Sequence, residues 1–253
     1  MVLVELNKQS DAWIDAFSRG IADFLVADEE ERPGRSLVSK EGLHYQYRNI
    51  MRDAFYATRD RVQNGFFHLM ISLIELMEMH KEWTFEEIEG SIKQMVDVSA
   101  HSGAKKESIE EKISEGMTFQ EAFGLTNIVM DRFYRAAWHL YEQRKYAEAA
   151  DGFVFLTVIN GLVQPFWMGL AASNKALQLW EPALHGYAMA ALTRQGDPVP
   201  HAHAADCYVA IKEMDHATES LDLAIELSGS IPEYAEIKKT AEANKALLRK
   251  PRA

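Results

Sequence analysis

The side chains best suited to chemistry lie within seven residues of one another: His201, His203, Asp206 and Cys207. His203 and Cys207 are four residues apart, on one face of a helix, so they could hold a metal ion or pair as a nucleophile and its base. Cys207 is the single cysteine of the chain, however. Neither a glycine-rich oxyanion loop nor a third orienting group accompanies the pair. A packing role for His201 and Cys207 is favoured, and we expect no catalytic residues, no metal and no cofactor.

Other patterns that could signal chemistry are weak. The chain has no phosphate-binding loop and no dinucleotide fingerprint. The acidic run Asp28–Glu31 could be read as a metal site, but the Pro33-Gly34 that follows favours a solvated turn. The acidic pairs Glu86-Glu87 and Glu110-Glu111 are typical of solvated helix faces.

The charge balance argues against nucleic acid and membrane partners. In 253 residues, 38 Asp and Glu outweigh 27 Lys and Arg, for a net charge of −11. Such a chain repels phosphate backbones and anionic lipid. No apolar run approaches the roughly 18 residues of a membrane span, and the first residues lack the basic region and cleavage site of a secretory signal. We expect a cytoplasmic protein with no nucleic acid and no membrane partner.

Apolar residues recur at helical spacing almost throughout, which predicts an all-α protein. In the N-terminal part the pattern predicts helices over 10–27, 43–61 and 66–80, and a fourth from the capping box Thr84–Glu87 to about residue 100. We expect residues 10–100 to form a separate bundle, cleavable near 101–106, because seven large apolar residues need burial: Trp13, Phe17, Phe24, Phe55, Phe67, Leu73 and Met77.

A period of 34 residues begins near residue 130. Two alanine columns repeat three times without a gap: Ala137, Ala171, Ala205 and Ala149, Ala183, Ala217. Large residues keep the same register in three further columns: Phe133, Trp167, His201; Tyr146, Trp180, Met214; and Phe153, Tyr187, Leu221. This is the tetratricopeptide pattern, in which small residues let paired helices approach and large residues fill the seam. We predict three helix pairs over residues 127–229 in a right-handed array, capped by a helix after Pro232.

The first helix of each tetratricopeptide pair lines the concave face of the array. Three aromatic residues on that helix, Tyr134, Trp138 and Tyr141, fall outside the packing columns. The same face carries Met168, Ala172 and Lys175 in the second repeat, and His203 and Asp206 in the third. Surplus aromatic residues in a concave surface are typical of peptide-binding grooves. The alternative is that they contact the N-terminal helices.

Residues 116 to about 229 resemble the class II type III secretion chaperones, which hold translocator proteins in the bacterial cytosol. The segments that carry the resemblance are Gly116–Phe119, Phe123–Thr126, Tyr134–Tyr141, Tyr146–Ala150, Phe166–Ala172 and His203–Cys207. The resemblance implies a binding protein that is not an enzyme. It also implies a secreted translocator or effector as client, and self-association as a homodimer through residues before the first repeat.

The family does not supply the roughly 110 residues that precede Gly116. We therefore divide the chain into an N-terminal helical domain, residues 1–115, and a tetratricopeptide chaperone domain, residues 116–253. The alternative function is a scaffold or regulator that binds a transcription factor or a secretion-apparatus subunit.

Overall fold

The computed structural model of the protein describes residues 40–80, 83, 86, 88–90, 112 and 115–248, with the backbone alone for 40–57. The elements in these ranges are helical: α1 (Lys40–Met79), α2 (Phe119–Phe123), α3 (Asn127–Glu142), α4 (Tyr146–Ile159), α5 (Gln164–Ala176), α6 (Trp180–Thr193), α7 (Val199–Ala210), α8 (Met214–Ser228) and α9 (Ala235–Leu248). A single 3₁₀ turn, Pro232–Tyr234, leads into α9.

The three predicted helix pairs are confirmed as α3/α4, α5/α6 and α7/α8. The six alanines of the two columns are at most 2% exposed, as are Phe153, Tyr187 and Leu221. The predicted capping helix is α9, which packs on α8. Lys245 of α9 pairs with Asp222 of α8, and the Lys238 ammonium donates to the Gly229 carbonyl at 2.9 Å. The 34-residue register thus corresponds to the helix pairs themselves.

Each pair turns through one residue in the left-handed region. Arg144, Gln178 and Lys212 have φ of 61°, 60° and 69°, and they too are 34 residues apart. The N–H of the next residue reaches back to close the turn, for example from Lys145 to the Leu140 carbonyl at 3.0 Å. Because none of the three is glycine, each turn stores about 1 kcal/mol of backbone strain.

Small residues set the spacing between successive repeats. A Cβ on Gly169 of α5 would lie 2.2 Å from the Phe153 ring of α4. Because that ring is fully buried, it has no room to move aside. Glycine at this position therefore lets the second repeat pack closely on the first.

Helix α1 corrects the prediction of two separate helices in this part of the chain. It is one continuous helix of 40 residues, where two separate helices were expected. Gly65 lies within this helix where α1 crosses α4 so closely that a Cβ would lie 2.0 Å from the Asp151 carbonyl oxygen. Arg61 adds an ion pair to Asp151 at 2.6 Å. The glycine serves a close helix crossing rather than a turn.

The core that α1 enters is that of the first repeat. Leu69 and Leu73 are fully buried there among residues of α3 and α4, and Met77 packs against the same cluster. The prediction of a separate N-terminal core is therefore wrong for Leu73 and Met77, and Phe67 is 63% exposed. The predicted helix over 10–27, the capping residues Thr84 and Glu87, and the 101–106 cleavage site lie outside the described residues. The division of the chain at residue 115 stays a prediction.

Candidate peptide-binding groove

Helix α3 presents different residues to α1 and to the predicted groove. On its α1 side, the Ser72 hydroxyl donates to the Ala136 carbonyl at 2.9 Å, and the Gln143 amide donates to Glu75 at 3.1 Å. That hydrogen bond, with Lys145 and His139 nearby, lowers the pKa of Glu75. With 3.6 residues per turn, Tyr134, Trp138 and Tyr141 lie on roughly the opposite side of α3.

The aromatic cluster consists of Tyr134, Trp138, Tyr141 and Tyr146, all partly buried. Trp138 packs edge-on against Tyr141, with 5.1 Å between ring centroids, and Tyr141 in turn contacts Tyr146 at 5.1 Å. Sequence reasoning assigned Tyr146 to a packing column and missed its place here. The sequence feature that could have identified Tyr146 is its position at the start of α4, directly across the turn from Tyr141 near the end of α3.

The aromatic cluster also touches the core, which corrects one expectation. The Trp138 ring lies 5.5 Å from the ring of Phe153, a residue of a packing column, and Tyr134 lies 6.2 Å from the same ring. Tyr134 further contacts Phe166 of α5 at 5.8 Å. One column of the repeat does therefore depend on Trp138. The ring forms part of the surface and supports the core beneath it.

The charged cluster consists of Lys175, His203 and Asp206, from α5 and α7. Lys175 Nζ donates to Asp206 Oδ2 at 2.5 Å and joins the second repeat to the third. His203 stacks on Tyr187 at 5.6 Å. Burial and the nearby Lys175 ammonium lower the pKa of His203, against the opposing effect of Asp206. His203 is accordingly neutral near pH 7.

Tyr187 of α6 lies against the charged cluster. Burial raises the pKa of this phenol most, and Cys207, Tyr141 and Asp206 raise it further. The geometric contact of Tyr187 is with the charged cluster, through the stacking of His203 on its ring. Sequence reasoning placed Tyr187 in a packing column, where it is indeed 2% exposed.

The remaining predicted groove residues, Met168 and Ala172, are partly buried on α5, like the aromatic residues of α3. Met168 packs against the core of the second repeat with Ala171, Tyr187 and Cys207. The structure therefore brings six of the eight predicted residues into two groups, one aromatic and one charged, with Met168 and Ala172 on α5 between them.

The residues that could suggest catalysis have other surroundings. Cys207 is fully buried, and burial raises the pKa of its thiol. Burial also lowers the pKa of His201. In the part of the chain that the structure describes, no group of three His, Cys, Asp or Glu side chains is placed to hold a metal ion. Over the same residues, no helix is both long enough and apolar enough to cross a membrane.

Comparisons with known proteins agree with the resemblance found in the sequence. No family model matches the chain. Over 130 residues it is 28% identical to low calcium response locus protein H of Yersinia pseudotuberculosis, covering 51% of this chain and 77% of that protein. Over 142 residues it is 28% identical to the chaperone protein SicA of Salmonella dublin, covering 54% and 86% respectively.

Solved structures give the same result. The type III secretion translocator chaperone SycD of Yersinia enterocolitica matches with a TM-score of 0.51 and 26% identity, over 52% of this chain and 98% of SycD. A chain of the CopN–Scc3 complex matches with a TM-score of 0.52 and 26% identity, over 60% of this chain and 96% of that one. The homologues of this protein are class II type III secretion chaperones.

Proposed function

We propose that this protein is a chaperone that binds an extended segment of a type III translocator, or of another secreted protein, along α3, α5 and α7. One observation carries the proposal. A chain whose homologues are translocator chaperones carries an aromatic cluster on α3 and the start of α4, and a charged cluster on α5 and α7 in which His203 stacks on Tyr187.

The two clusters suit different parts of a client segment. Rings held by their neighbours, such as Trp138 against Tyr141 and Phe153, lose little freedom when an apolar side chain packs on them. Lys175 and Asp206 are partly exposed and can each exchange their mutual ion pair for a polar group of the client. We therefore expect apolar anchors at the first repeat and polar contacts at the third.

The proposed action is binding and release, with no bond made or broken. A raised thiol pKa leaves Cys207 protonated, and a protonated thiol is a poor nucleophile. Covering an apolar segment of a secreted protein prevents its aggregation before export. We place this activity in the bacterial cytoplasm, where such a client is made.

The test is co-expression with a translocator encoded in the same genome. We expect the soluble fraction of the translocator to rise and the two proteins to elute together. Trp138→Ala should reduce co-elution, whereas Leu192→Ala should not, because Leu192 is a 66% exposed apolar residue of α6 outside the groove. A translocator that stays insoluble with the wild-type protein would contradict the proposal. Co-elution of a transcription factor instead would favour the regulator alternative.

A further inference from the structure

Helix α1 is apolar on two opposite faces. Its inner face carries Leu69, Leu73 and Leu76, which are 0%, 1% and 7% exposed against the first repeat. Its outer face carries Phe67, Ile71 and Ile74, which are 63%, 42% and 54% exposed. These three, the outer stripe, are spaced four and three residues apart and so lie on one side of the helix. A surface helix normally turns polar residues outward, so the outer stripe requires a partner.

The chain itself supplies a segment of matching character. The 39 residues before α1 include the predicted amphipathic helix over 10–27, whose apolar residues are Trp13, Phe17, Ile21, Phe24 and Leu25. At 1.5 Å per residue, the stretch from Trp13 to Phe24 spans about 17 Å and the outer stripe about 10 Å. The segment is long enough to cover the stripe with one face.

The connection between segment and helix permits one direction only. Thirteen residue steps join Ala27 to Lys40, and an extended chain of that length reaches about 44 Å. An antiparallel segment, with Ile21 beside Phe67, places Ala27 level with Arg61, about 32 Å along α1 from Lys40. A parallel segment, with Trp13 beside Phe67, would place Ala27 about 60 Å from Lys40, beyond the reach of the connection.

We propose that residues 10–27 dock antiparallel on the outer stripe of α1 and form with it a helical hairpin ahead of the first repeat. The hairpin lies on the side of α3 away from Tyr134, Trp138 and Tyr141. It therefore lengthens the array by one further helix pair and leaves the groove open. It also anchors α1, whose inner face completes the core beneath the aromatic cluster.

Disulfide trapping tests both the contact and its direction. A disulfide requires Cα atoms within about 7 Å, and the native Cys207 is fully buried and does not compete. In the full chain, Ile21→Cys with Phe67→Cys should form an intramolecular disulfide under mild oxidation. The matched control, Trp13→Cys with Phe67→Cys, pairs only in the parallel arrangement and should stay reduced, because antiparallel docking separates these residues by about 12 Å.

A second measurement uses hydrogen exchange in residues 10–27. We expect protection in the wild type and its loss in Ile71→Glu, with the circular dichroism of the repeats unchanged. A covalent dimer in the trapping experiment would assign the stripe to a second copy and overturn the proposal. Equal trapping of the control, or no trapping together with no protection, would overturn it as well. None of these readouts depends on the client, so they separate this inference from the proposed function.

Discussion

Removing the Trp138 side chain tests whether this ring binds the client as well as supporting the fold. Trp138→Ala deletes a ring that contacts Phe153 at 5.5 Å and Tyr141 at 5.1 Å. The ring also contacts Tyr134 at 6.2 Å. Losing three aromatic pairs at about 1 kcal/mol each should lower the free energy of unfolding by about 3 kcal/mol. For a chain of this size that lowers Tm by about 9 °C. The folded state should remain fully populated at 25 °C.

Client binding should weaken in the same variant, measured on protein that is folded. An aromatic anchor at the centre of an interface typically contributes about 2 kcal/mol, which corresponds to a roughly thirty-fold weaker Kd. Titration calorimetry at 25 °C measures this loss, and thermal unfolding followed by circular dichroism measures stability. Trp138→Phe should recover most of the stability, because its ring still reaches Phe153.

Ala171→Leu provides the opposite perturbation. Ala171 is fully buried, and its Cβ lies 2.9 Å from where a Cβ on Gly186 would be. Overpacking there should cost about 3 kcal/mol of stability, with little change in client affinity where the variant is folded. The reasoning fails if Trp138→Ala binds the client like the wild type. It fails equally if folded Ala171→Leu shows the same thirty-fold loss.

The remaining predictions concern the turns within each helix pair, the partly buried His203 and self-association. Replacing Arg144, Gln178 or Lys212 by glycine should raise the free energy of unfolding by about 1 kcal/mol each in urea titrations, because glycine accepts positive φ without strain; unchanged midpoints would refute it. The pKa of His203 lies below its ordinary 6.5, so the unfolded chain binds protons first. Stability should therefore be full above about pH 6.5 and fall as the pH drops below it, and His203→Asn should flatten that slope between pH 6.5 and 5. We also predict a dimer at micromolar concentration, which sedimentation showing only monomer over a wide range would disprove.

The repeat array was predictable from the sequence because its signals are local and periodic. Ala137, Ala171 and Ala205 recur at a fixed spacing since each must meet the same partner helix at the same close distance. Helix pairs that contact mainly their neighbours leave this register in the sequence without interruption. The helical period of 3.6 residues placed Tyr134, Trp138 and Tyr141, which are four and three residues apart, together on one side of α3.

Tertiary contacts decided what periodicity does not encode. The sequence pattern predicted two helices over 43–61 and 66–80, whereas the structure has one continuous helix that crosses α4 closely at Gly65. Two residues as far apart as Lys175 and Asp206 form an ion pair only because α5 and α7 are neighbours in the array. The contact of Trp138 with Phe153 likewise depends on the angle between α3 and α4. The sequence by itself determined the helices and their register, whereas the distances between them, set by packing of side chains remote in the chain, decided how the groove residues meet.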